Sequence, residues 1–587
     1  MTHNVLSNSL LFTRSNTGNQ SFVTVCSGCL LVMALVIARP VYGQSSDAIP
    51  DAGVLQRQIE SARQSALPAA SVPSLAPVSP AVDDNQPKAR VNSFELNGAK
   101  LIDRHELLAL IQNQIGQLLT FNQLEQLTQQ IAEYYRSKGW FARVYLPEQD
   151  VGAGNVKIEI IEADFSGSKL EAADTRADTD LVTSIVLGDL KPGAPFAVKQ
   201  LESGLLKAND MPGIKATGIL EPGESPGQTG VRLKIEDLPL ATGYLNYANQ
   251  GIRSTGSNQY QGDLQINDPF GRGDQFTVHA LGSENLVSVR SEYGLTVGSH
   301  GERFSVYGSH LQYQLGGSFA KLQAEGEARN IGGVFSYPFI RETTRNLNLR
   351  IGIDNKLNQS SQLGQLTRLR DINTLSLTIN GDQIDHWLES ALNAGSLQFT
   401  AGNLNPDGVA SDLSSDSKTA NARGDFYRLN FNLSRLQNLA DQWQISFAFS
   451  GQWASKNLDS SQKFSLGGPA GVRAYPVNEG MGDSGWLINF EIRRNLGYGF
   501  QGLMFADAGG IQVSQQPWSS APSSTPNSYL LSGVGLGLRW TYSNQWQAAA
   551  TVGLPLTTNP ARDVYNHNSD GTRASDPSGW LSLTRYF

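Results

Sequence analysis

The C-terminal half of the chain contains one short motif whose residue types could support hydrolysis. Residues Gly482-Asp483-Ser484-Gly485 resemble the nucleophile turn of trypsin-like serine proteases, in which the serine needs a histidine base. Trp486 replaces the usual second glycine, however, and none of the seven histidines lies in a matching base motif. The histidines also lack the spacing of metal ligands. We therefore predict no catalytic residue, no metal site and no cofactor site, and the chain is not predicted to be an enzyme.

A second set of residues could form a polar contact rather than catalyse a reaction. Arg473 lies in the glycine-rich segment 467–476, and Asp507 lies in the alternating segment 502–509. The planar guanidinium of arginine can donate two parallel hydrogen bonds to one carboxylate. By the two-residue period of an extended strand, Phe505 and Asp507 share one face. Alternatively, Arg473 is a solvated loop arginine and Asp507 a turn residue, and the residues alone leave both interpretations open.

Residues 240–587, which must position these side chains, carry the pattern of a β-barrel. The clearest stretches alternate apolar and polar residues, as in 347–353 and 429–436, and turn signals separate about sixteen segments of about ten residues. This region has no apolar run long enough for a transmembrane helix, so a membrane-embedded form must be a closed barrel. A soluble β-sandwich or propeller is the alternative, but no repeat of blade length is present. We predict a 16-stranded antiparallel transmembrane barrel.

Composition narrows the class of protein further. The chain has 587 residues, a net charge of −8, 17% charged residues and 59 glycines. Soluble proteins average about 25% charged residues and about 7% glycine, so this composition disfavours a cytosolic enzyme. An apolar content of 40% argues against disorder throughout. The acidic balance and the lack of a long Lys/Arg run argue against nucleic acid as the main partner.

Residues 1–43 are predicted to be a signal peptide. An apolar stretch runs from Phe22 to Ala38, and Val41 and Gly43 give the small-residue spacing of a cleavage site after Gly43. A membrane anchor is the alternative, because the stretch approaches the minimum spanning length. Both cysteines of the chain lie in this segment. Export without disulfides suits a bacterial envelope protein.

Residues 44–66 are predicted to form a short, weakly amphipathic helix, with Val54, Leu55 and Ile59 on one face. Residues 67–89 carry several prolines among Ala, Ser and Val, which is typical of an extended, semi-rigid tether. A helix on a tether can enter and leave a binding place while it stays attached. The alternative is a leader that never becomes ordered.

Two small α+β modules are predicted between the tether and the barrel. Residues 90–166 read as β-α-α-β-β, with start signals for helices at Asp103/Glu106 and Thr120/Gln123. The second of these helices is expected to bury a stripe of Leu124, Leu127, Ile131 and Tyr134. Residues 167–239 repeat the same order less clearly. Exposed sheet edges in such modules can pair with an extended segment of another chain.

This organisation resembles the two-partner secretion transporters of the Omp85 superfamily, of the haemolysin-activator or filamentous-haemagglutinin-transporter type. The modules then resemble POTRA domains, and residues 44–66 a plug helix. The segment 467–476 is similar to the family's Val-Arg-Gly-Tyr signature, although Ala474 stands where the family has glycine, and 502–509 is similar to its Phe-x-Asp segment. The resemblance implies a lock between loop and barrel wall, formed by Val472, Arg473, Tyr475, Phe505 and Asp507 with the loop glycines Gly467, Gly468 and Gly471. It also implies a C-terminal barrel signal at Phe587.

The function implied by this resemblance is transport without chemistry. The modules would lie in the periplasm of a Gram-negative bacterium and bind the N-terminal secretion domain of a large exoprotein. The barrel, a monomeric pore embedded in outer-membrane lipid, would then pass that exoprotein to the cell surface without ATP. A barrel-assembly insertase of the same superfamily is the alternative function. A surface adhesin or passive porin is a third, for which the modules would be unnecessary.

Overall fold

The computed structural model describes residues 49–65, 88–171, 174–188, 190–440, 442–518 and 526–587, with backbone only for 62–65. The predicted signal peptide and almost all of the predicted tether lie outside the described residues. In the part of the chain that is described, no helix is both long and apolar enough to cross a membrane.

The first helix, α1, spans Ala52–Ser65, within the predicted range 44–66. Asp51 begins it by accepting a hydrogen bond from the backbone nitrogen of Val54 at 3.0 Å, as an N-cap aspartate does. Val54 and Leu55 are buried. They pack in one apolar cluster with side chains of residues 252–328, so the predicted apolar face of this helix contacts the barrel.

The first module has the predicted order of elements, with a short extra sheet. Its elements are β1 Lys88–Arg90, β2 Ser93–Asn97, α2 Arg104–Ile111, β3 Leu118–Thr120, α3 Phe121–Ser137, β4 Ala142–Tyr145 and β5 Asn155–Glu162, with a 3₁₀ turn at Gln112–Gln114. The sheet order is β2-β5-β4, in which β5 is parallel to β2 and antiparallel to β4. The strands β1 and β3 form a separate pair that the sequence did not predict.

The capping box predicted at Thr120 and Gln123 is complete. Two other details of the first module differ from the prediction. At the other helix start, Asp103 caps the helix, but the Glu106 carboxylate accepts a hydrogen bond from Lys138 at 2.8 Å on the neighbouring helix. The buried tyrosine of α3 is Tyr135 rather than Tyr134, because the Tyr134 hydroxyl also reaches Glu106.

The second module repeats this plan. Its elements are β6 Asp164–Leu170, α4 Thr179–Leu187, α5 Val198–Asn209, β7 Ile214–Pro222 and β8 Gln228–Asp237. The sheet order is β6-β8-β7, again with the first strand parallel to the central strand. The boundary expected after residue 166 falls inside β6, and strand pairing assigns this whole strand to the second module.

The remaining strands close a sixteen-stranded barrel. In chain order the elements are β9 Ala241–Ala248, β10 Gln259–Asn267, β11 Gln275–Ser283, β12 Leu286–Thr296, β13 Arg303–Gln314, β14 Glu325–Arg341, β15 Arg345–Gln362, β16 Gln365–Asp385, β17 Ala391–Asn405, α6 Ala410–Lys418, β18 Gly424–Asn438, β19 Trp443–Ala454, the short loop strands β20 Phe464–Ser465 and β21 Met481–Gly482, β22 Ser484–Gly497, β23 Phe500–Gln512, β24 Ser528–Tyr542, β25 Trp546–Pro555 and β26 Ser578–Tyr586, with 3₁₀ turns at Gly317–Leu322 and Ser460–Gln462. Every neighbouring pair is antiparallel, and β26 pairs with β9 to close the ring. The predicted strand count is confirmed.

The two faces of each barrel strand differ in chemistry, as the alternation predicts. On β15 the odd-numbered Ile351 and Ile353 are exposed to the outside of the barrel, and the even-numbered Lys356, Asn358 and Ser360 are buried inside it. Connections such as 498–499 and 543–545 are short at the end that carries the modules, and the connection 455–483 at the far end is long. The barrel is therefore oriented, with its long loops away from the modules.

The turn 268–274, between β10 and β11, packs against the second module. Its Gly271 oxygen accepts a hydrogen bond from the Asp178 nitrogen at 2.6 Å, and a Cβ atom added at Gly273 would lie 2.5 Å from Met211. Arg341 on β14 adds two bonds to the Asp210 carboxylate, at 2.6 and 2.7 Å. The residues Arg272, Gly273 and Asp274 thus lie in a short turn at the end of the barrel that carries the modules.

Candidate functional site: the loop held inside the barrel

The loop 455–483 folds back on itself before it meets the barrel wall. The Val472 nitrogen donates to the Leu466 oxygen at 2.7 Å, and the Gly467 nitrogen donates to the Glu479 oxygen at 2.8 Å. A Cβ atom at Gly471 would lie 1.9 Å from the Leu466 oxygen, and Gly468 has a φ of 119°. Only glycine fits these positions without strain. At Gly467 an added Cβ atom would lie 2.2 Å from the Pro476 oxygen, so all three predicted loop glycines allow the chain to reverse this tightly.

Arg473, at the tip of this loop, contacts Asp507 on β23. Its Nε and Nη2 atoms donate to the two carboxylate oxygens at 2.9 and 2.7 Å, and its backbone nitrogen adds a third bond at 3.0 Å. Both residues are buried, with 5% of Arg473 and 2% of Asp507 exposed. The structure thus brings together the two side chains that sequence analysis paired, in the two-bond geometry expected of arginine.

Glu491 on β22 is a third member of the site, and the sequence analysis missed it. Its carboxylate accepts from Nη1 of Arg473, and it also contacts Arg493 and Arg539. Asn489, on the same face of β22, donates to Asp507 at 2.8 Å and to the Gly471 oxygen at 2.9 Å. Neither residue stands out in sequence, because β22 has the same alternation as every other barrel strand. The only signal available was a glutamate at an inward-facing position two residues from an arginine.

Phe505, another residue of the predicted lock, packs against the guanidinium of Arg473. Its central carbon lies 3.7 Å from the centroid of the Phe505 ring, at cation–π distance. That ring rests on Gly535, where an added Cβ atom would lie 2.3 Å from it. Trp580 on β26 donates its indole hydrogen to the Arg473 carbonyl at 2.8 Å. The loop tip is therefore held from four barrel strands, β22, β23, β24 and β26.

Val472 and Tyr475 anchor the loop tip by burial, and both are fully buried. They lie in one apolar cluster with Leu466, Leu487 and Leu531. The Tyr475 hydroxyl donates to the Thr557 oxygen at 2.5 Å, so the polar end of this buried ring has a partner.

Ala474 fits this turn although the family has glycine there. Its φ does not fall in the left-handed region, so the backbone does not need glycine. A Cβ atom at Gly533 on β24 would lie 2.4 Å from the Ala474 Cβ, so the methyl group of the loop fills the space left by the wall glycine. The small residues of 533–537, which lie in strand β24, therefore allow the loop tip to pack closely against the wall.

Helix α1 contacts the inner wall at two ion pairs. Asp51 pairs with Arg368 on β16 at 2.6 Å, and Glu60 pairs with Lys356 on β15 at 2.8 Å. Arg57 donates to the Lys463 oxygen at 3.0 Å and to the Asn478 side chain at 2.6 Å, both in the loop 455–483. Of the predicted apolar residues, Val54 and Leu55 are buried and Ile59 is partly buried. The helix is thus held to the wall and to the loop by charged as well as apolar groups.

A second buried ion-pair cluster links the outer loops to the wall. Arg370 on β16 makes two bonds to Asp412 in helix α6, at 3.0 and 2.8 Å, and one to Asp459 at 2.8 Å. Ser460 donates to Asp51 of the helix cap at 2.8 Å. The cap of α1, the loop 455–483 and helix α6 therefore meet at one point of the wall.

Two other predicted features have plain structural roles. The C-terminal Phe587 exchanges backbone hydrogen bonds with Gly243 of β9, at 3.0 and 3.1 Å, next to the closing strand pair. Asp483, in the segment that resembles a protease turn, is fully buried and accepts bonds from Leu458, Lys463 and Gln515. Asp483 therefore connects the loop 455–483 to the loop that follows β23. Among the described residues, no group of three or more His, Cys, Asp or Glu side chains could hold a metal ion.

Comparison with known proteins identifies the family. Residues 227–540 match the family model described as haemolysin secretion/activation protein ShlB/FhaC/HecB. The chain belongs to this family. Residues 89–163 match the model of a POTRA domain of ShlB type. The ShlB/FhaC/HecB proteins are outer-membrane transporters of exoprotein secretion, with their POTRA domains in the periplasm, so the short turns of this barrel are periplasmic and its long loops extracellular.

Three known transporters match most of the chain. The Heme/hemopexin transporter protein HuxB of Haemophilus influenzae strain 86-028NP is 28% identical over 92% of this chain and 95% of its own length. The outer membrane transporter CdiB of Dickeya dadantii is 24% identical over 80% of this chain and 83% of its own. The hemolysin transporter protein ShlB of Serratia marcescens is 24% identical over 75% and 78%.

Solved structures share the fold. CdiB from Escherichia coli superimposes with a TM-score of 0.62 at 19% identity, over 92% of this chain and all of its own. BamA from Haemophilus ducreyi lacking POTRA domains 1–3 gives 0.53 at 12% identity, over 86% of this chain and all of its own. The CdiB structure is thus the more similar of the two, and the BamA structure the less similar.

Proposed function

We propose that this ShlB/FhaC/HecB member recognises a large partner exoprotein in the periplasm and passes it through the barrel to the cell surface. The observation that carries this proposal is the content of the lumen, where a loop tip and a helix are both bound by charged groups. A wet lumen tolerates such charges, whereas the lipid face does not. These ion pairs and hydrogen bonds can be replaced by contacts with water when the exported chain displaces the loop tip or the helix, because a charge that becomes exposed is well solvated.

The proposed recognition step takes place on the periplasmic modules. The sheet orders leave β2 and β4 at the edges of the first module, and β6 and β7 at the edges of the second. On β7, Ile219 and Leu220 are 44% and 39% exposed. An edge strand with unpaired backbone groups and exposed apolar side chains suits strand addition by an extended, unfolded segment. The proposed ligand is the N-terminal secretion domain of the exoprotein.

Helix α1 is proposed to be a plug that leaves the lumen during transport. Its two ion pairs and its buried Val54 and Leu55 support a bound resting position. The tether of residues 67–89 would keep the released helix attached. The loop tip around Arg473, with Val472, Tyr475, Phe505 and Asp507, is proposed as the second element that bounds the path of the exported chain.

Transport is proposed to need no ATP, cofactor or catalysis by this chain. The periplasm supplies no nucleotide, so folding of the exoprotein outside the cell would drive its movement, because each segment that folds there cannot readily slide back. The proposed pore is monomeric and surrounded by outer-membrane lipid. The proposed cargo is an exoprotein. This proposal holds whichever of the three relatives, HuxB, CdiB or ShlB, has the most similar cargo.

The test first asks whether a neighbouring gene encodes a large, repetitive secreted protein with an N-terminal secretion domain, and then measures secretion of that protein with and without the two modules. Export with the full chain and loss of export after removal of residues 90–239, with the barrel still assembled, is the expected result. A barrel-assembly insertase is the competing function, and it requires that other outer-membrane proteins fail to assemble when this gene is deleted. Normal assembly of those proteins together with lost export supports the transporter. Normal export without the modules would contradict the proposed recognition step.

A further inference from the structure

The outer surface of the barrel carries a groove that none of the transport contacts uses. It has a volume of about 820 Å³ and lies across strands β13 to β18. Its floor contains Gly333 and Ala401, and larger apolar side chains surround them. These are Phe304, Val306, Ile331, Ile353 and Leu375. The groove exists because the two small residues leave a depression between larger neighbours on the lipid-facing side.

A row of polar side chains closes the extracellular end of this groove. Strand pairing puts Asn355, Asn373, Asn403 and Asp425 directly beside one another on four successive strands. All four are exposed on the outer face. Asn355 donates to Asn373 at 2.9 Å, and Asn403 donates to Asp425 at 2.6 Å. We call these four residues the polar row.

The height of the polar row corresponds to the membrane surface. Asn355 lies eight residues after the apolar Leu347 on β15. At about 3.4 Å per residue and a tilt of about 40°, that distance crosses about 20 Å, which approaches the apolar band of about 25 Å in outer-membrane barrels. Tyr427, stacked on Phe399 at 6.0 Å, lies beside the row where an interfacial aromatic is expected.

Arg329 and His310 lie one rung closer to the extracellular end of the barrel than the polar row. Arg329 on β14 pairs with Leu357, one rung above Ile331 and Asn355, and it faces His310 on β13. The side chain of Arg329 is 59% exposed, although it contacts Glu327 at 3.0 Å. From the bilayer outward, the surface therefore presents an apolar groove, then amides and a carboxylate, and then the Arg329 guanidinium flanked by the carboxylates of Glu327 and Asp371.

We propose that this groove binds a phosphorylated glycolipid of the outer leaflet, that is, a lipopolysaccharide. Its acyl chains lie along Val306, Ile353 and Leu375, continuous with the lipid-facing surface of the barrel. Its sugar hydroxyl groups exchange hydrogen bonds with the polar row, since amides both donate and accept and a carboxylate accepts. A phosphate on the sugar lies near Arg329. A phospholipid would offer the polar row no sugar hydroxyl groups, and its phosphate would meet Asp425.

The test measures lipid bound to the full-length protein by native mass spectrometry after purification in detergent. The probes are rough-type lipopolysaccharide, phosphatidylglycerol and phosphatidylethanolamine. The variant is Asn373→Leu/Asn403→Leu, which removes the centre of the polar row and keeps similar volume. Its control is Asn432→Leu, which changes an exposed asparagine on the lumen side of β18. Heat-dependent gel migration shows that each barrel has assembled, and Asn373→Ala and Asn403→Ala replace any double variant that does not assemble.

The expected result is that the wild type and the control bind lipopolysaccharide about tenfold better than the double variant, as two lost hydrogen bonds of ordinary net strength would give. Binding of the two phospholipids should not change among the three proteins. Equal lipopolysaccharide binding by wild type and double variant would overturn the proposal. So would phosphatidylglycerol binding as strong as that of lipopolysaccharide, because the groove would then select only acyl chains.

Discussion

Glu491 lies between Arg473 of the inward-folded loop and Arg539 of strand β24, and contacts both. The loop tip is therefore part of a charge network that reaches across the wall, with Asp507 as its other acid. Loss of one member leaves the remaining charges buried without their full set of partners, which is more costly than the loss of an exposed pair.

Glu491→Gln should weaken the docking of the loop by about 1–3 kcal/mol, because Arg473 keeps Asp507 but loses one charge-assisted bond. We expect a lower midpoint for heat-dependent gel migration and reduced export. The control is Glu342→Gln, which removes an exposed pair with Arg345 on a periplasmic turn and should change stability by less than about 1 kcal/mol. Equal midpoints for the two variants would argue against a network role for Glu491.

Arg473→Ala and Asp507→Ala should both impair export while the barrel still assembles. Arg473→Lys should be nearly as defective, since an ammonium group cannot make the two parallel bonds to Asp507. Export assays and outer-membrane levels measure the two effects separately. Arg345→Lys, at an exposed arginine, serves as the matched control. Wild-type export by the Arg473 and Asp507 variants would refute the proposed lock.

Gly533→Ala should displace the loop tip, because its methyl group would meet that of Ala474 at 2.4 Å. The expected cost is about 1–3 kcal/mol, as for other overpacked sites. Ala474→Gly in the same chain should recover part of this loss, since it removes the opposing methyl group. Gly282→Ala on β11 is the control, because nothing lies within 4 Å of its added Cβ atom. A double variant no better than Gly533→Ala would mean that the two residues do not interact.

Lys356→Ala/Arg368→Ala should weaken the hold of the wall on helix α1, since it removes the cations that pair with Glu60 and Asp51. We expect larger and more frequent channel openings in planar lipid bilayers. Arg350→Ala is the control, because Arg350 is an exposed arginine on the same face of β15, six residues from Lys356. Unchanged conductance in the double variant, with the helix deletion still opening the channel, would show that these pairs do not hold the plug.

Burial raises the pKa of Asp268 in the turn 268–274, which packs against the second module. A raised pKa in the folded state stabilises the fold at low pH, and this contribution is lost as pH rises through that pKa. Asp268→Asn should therefore be more stable than wild type at neutral pH, with a difference that shrinks on acidification. The amide keeps the acceptor for Gly273, and asparagine tolerates the φ of 52°. Thermal midpoints across pH measure this, with Asp576→Asn in an exposed loop as control.

Sequence analysis predicted the fold best in the regions that are built from repeated elements. Sixteen alternating strands and the element order of the two modules could be predicted because burial on one face imposes a two-residue period. Arg473 and Asp507 could be paired because a known family resemblance joined two distant motifs. Each strand carries the same alternation, so pattern alone could not find Glu491.

Contacts that depend on register were not predictable. Glu491 meets Arg539 only because β22, β23 and β24 pair in one particular register. The burial of Tyr135 rather than Tyr134 depends on Glu106 in another helix. The polar row on the outer face likewise needs four strands aligned to within one residue, which no local sequence signal specifies.

Helix α1 neutralises part of the wall as well as occupying space beside it. When it withdraws, Glu60 and Asp51 go with it, and Lys356 and Arg368 are left facing water on neighbouring strands. The segment 51–65 carries two acids and two arginines, so its departure leaves the net charge of the lumen unchanged and only exposes these two wall cations. In a barrel without the helix, Lys356→Ala/Arg368→Ala should therefore lower the preference for anions, and a shift in reversal potential would report that the two cations line the path of small ions.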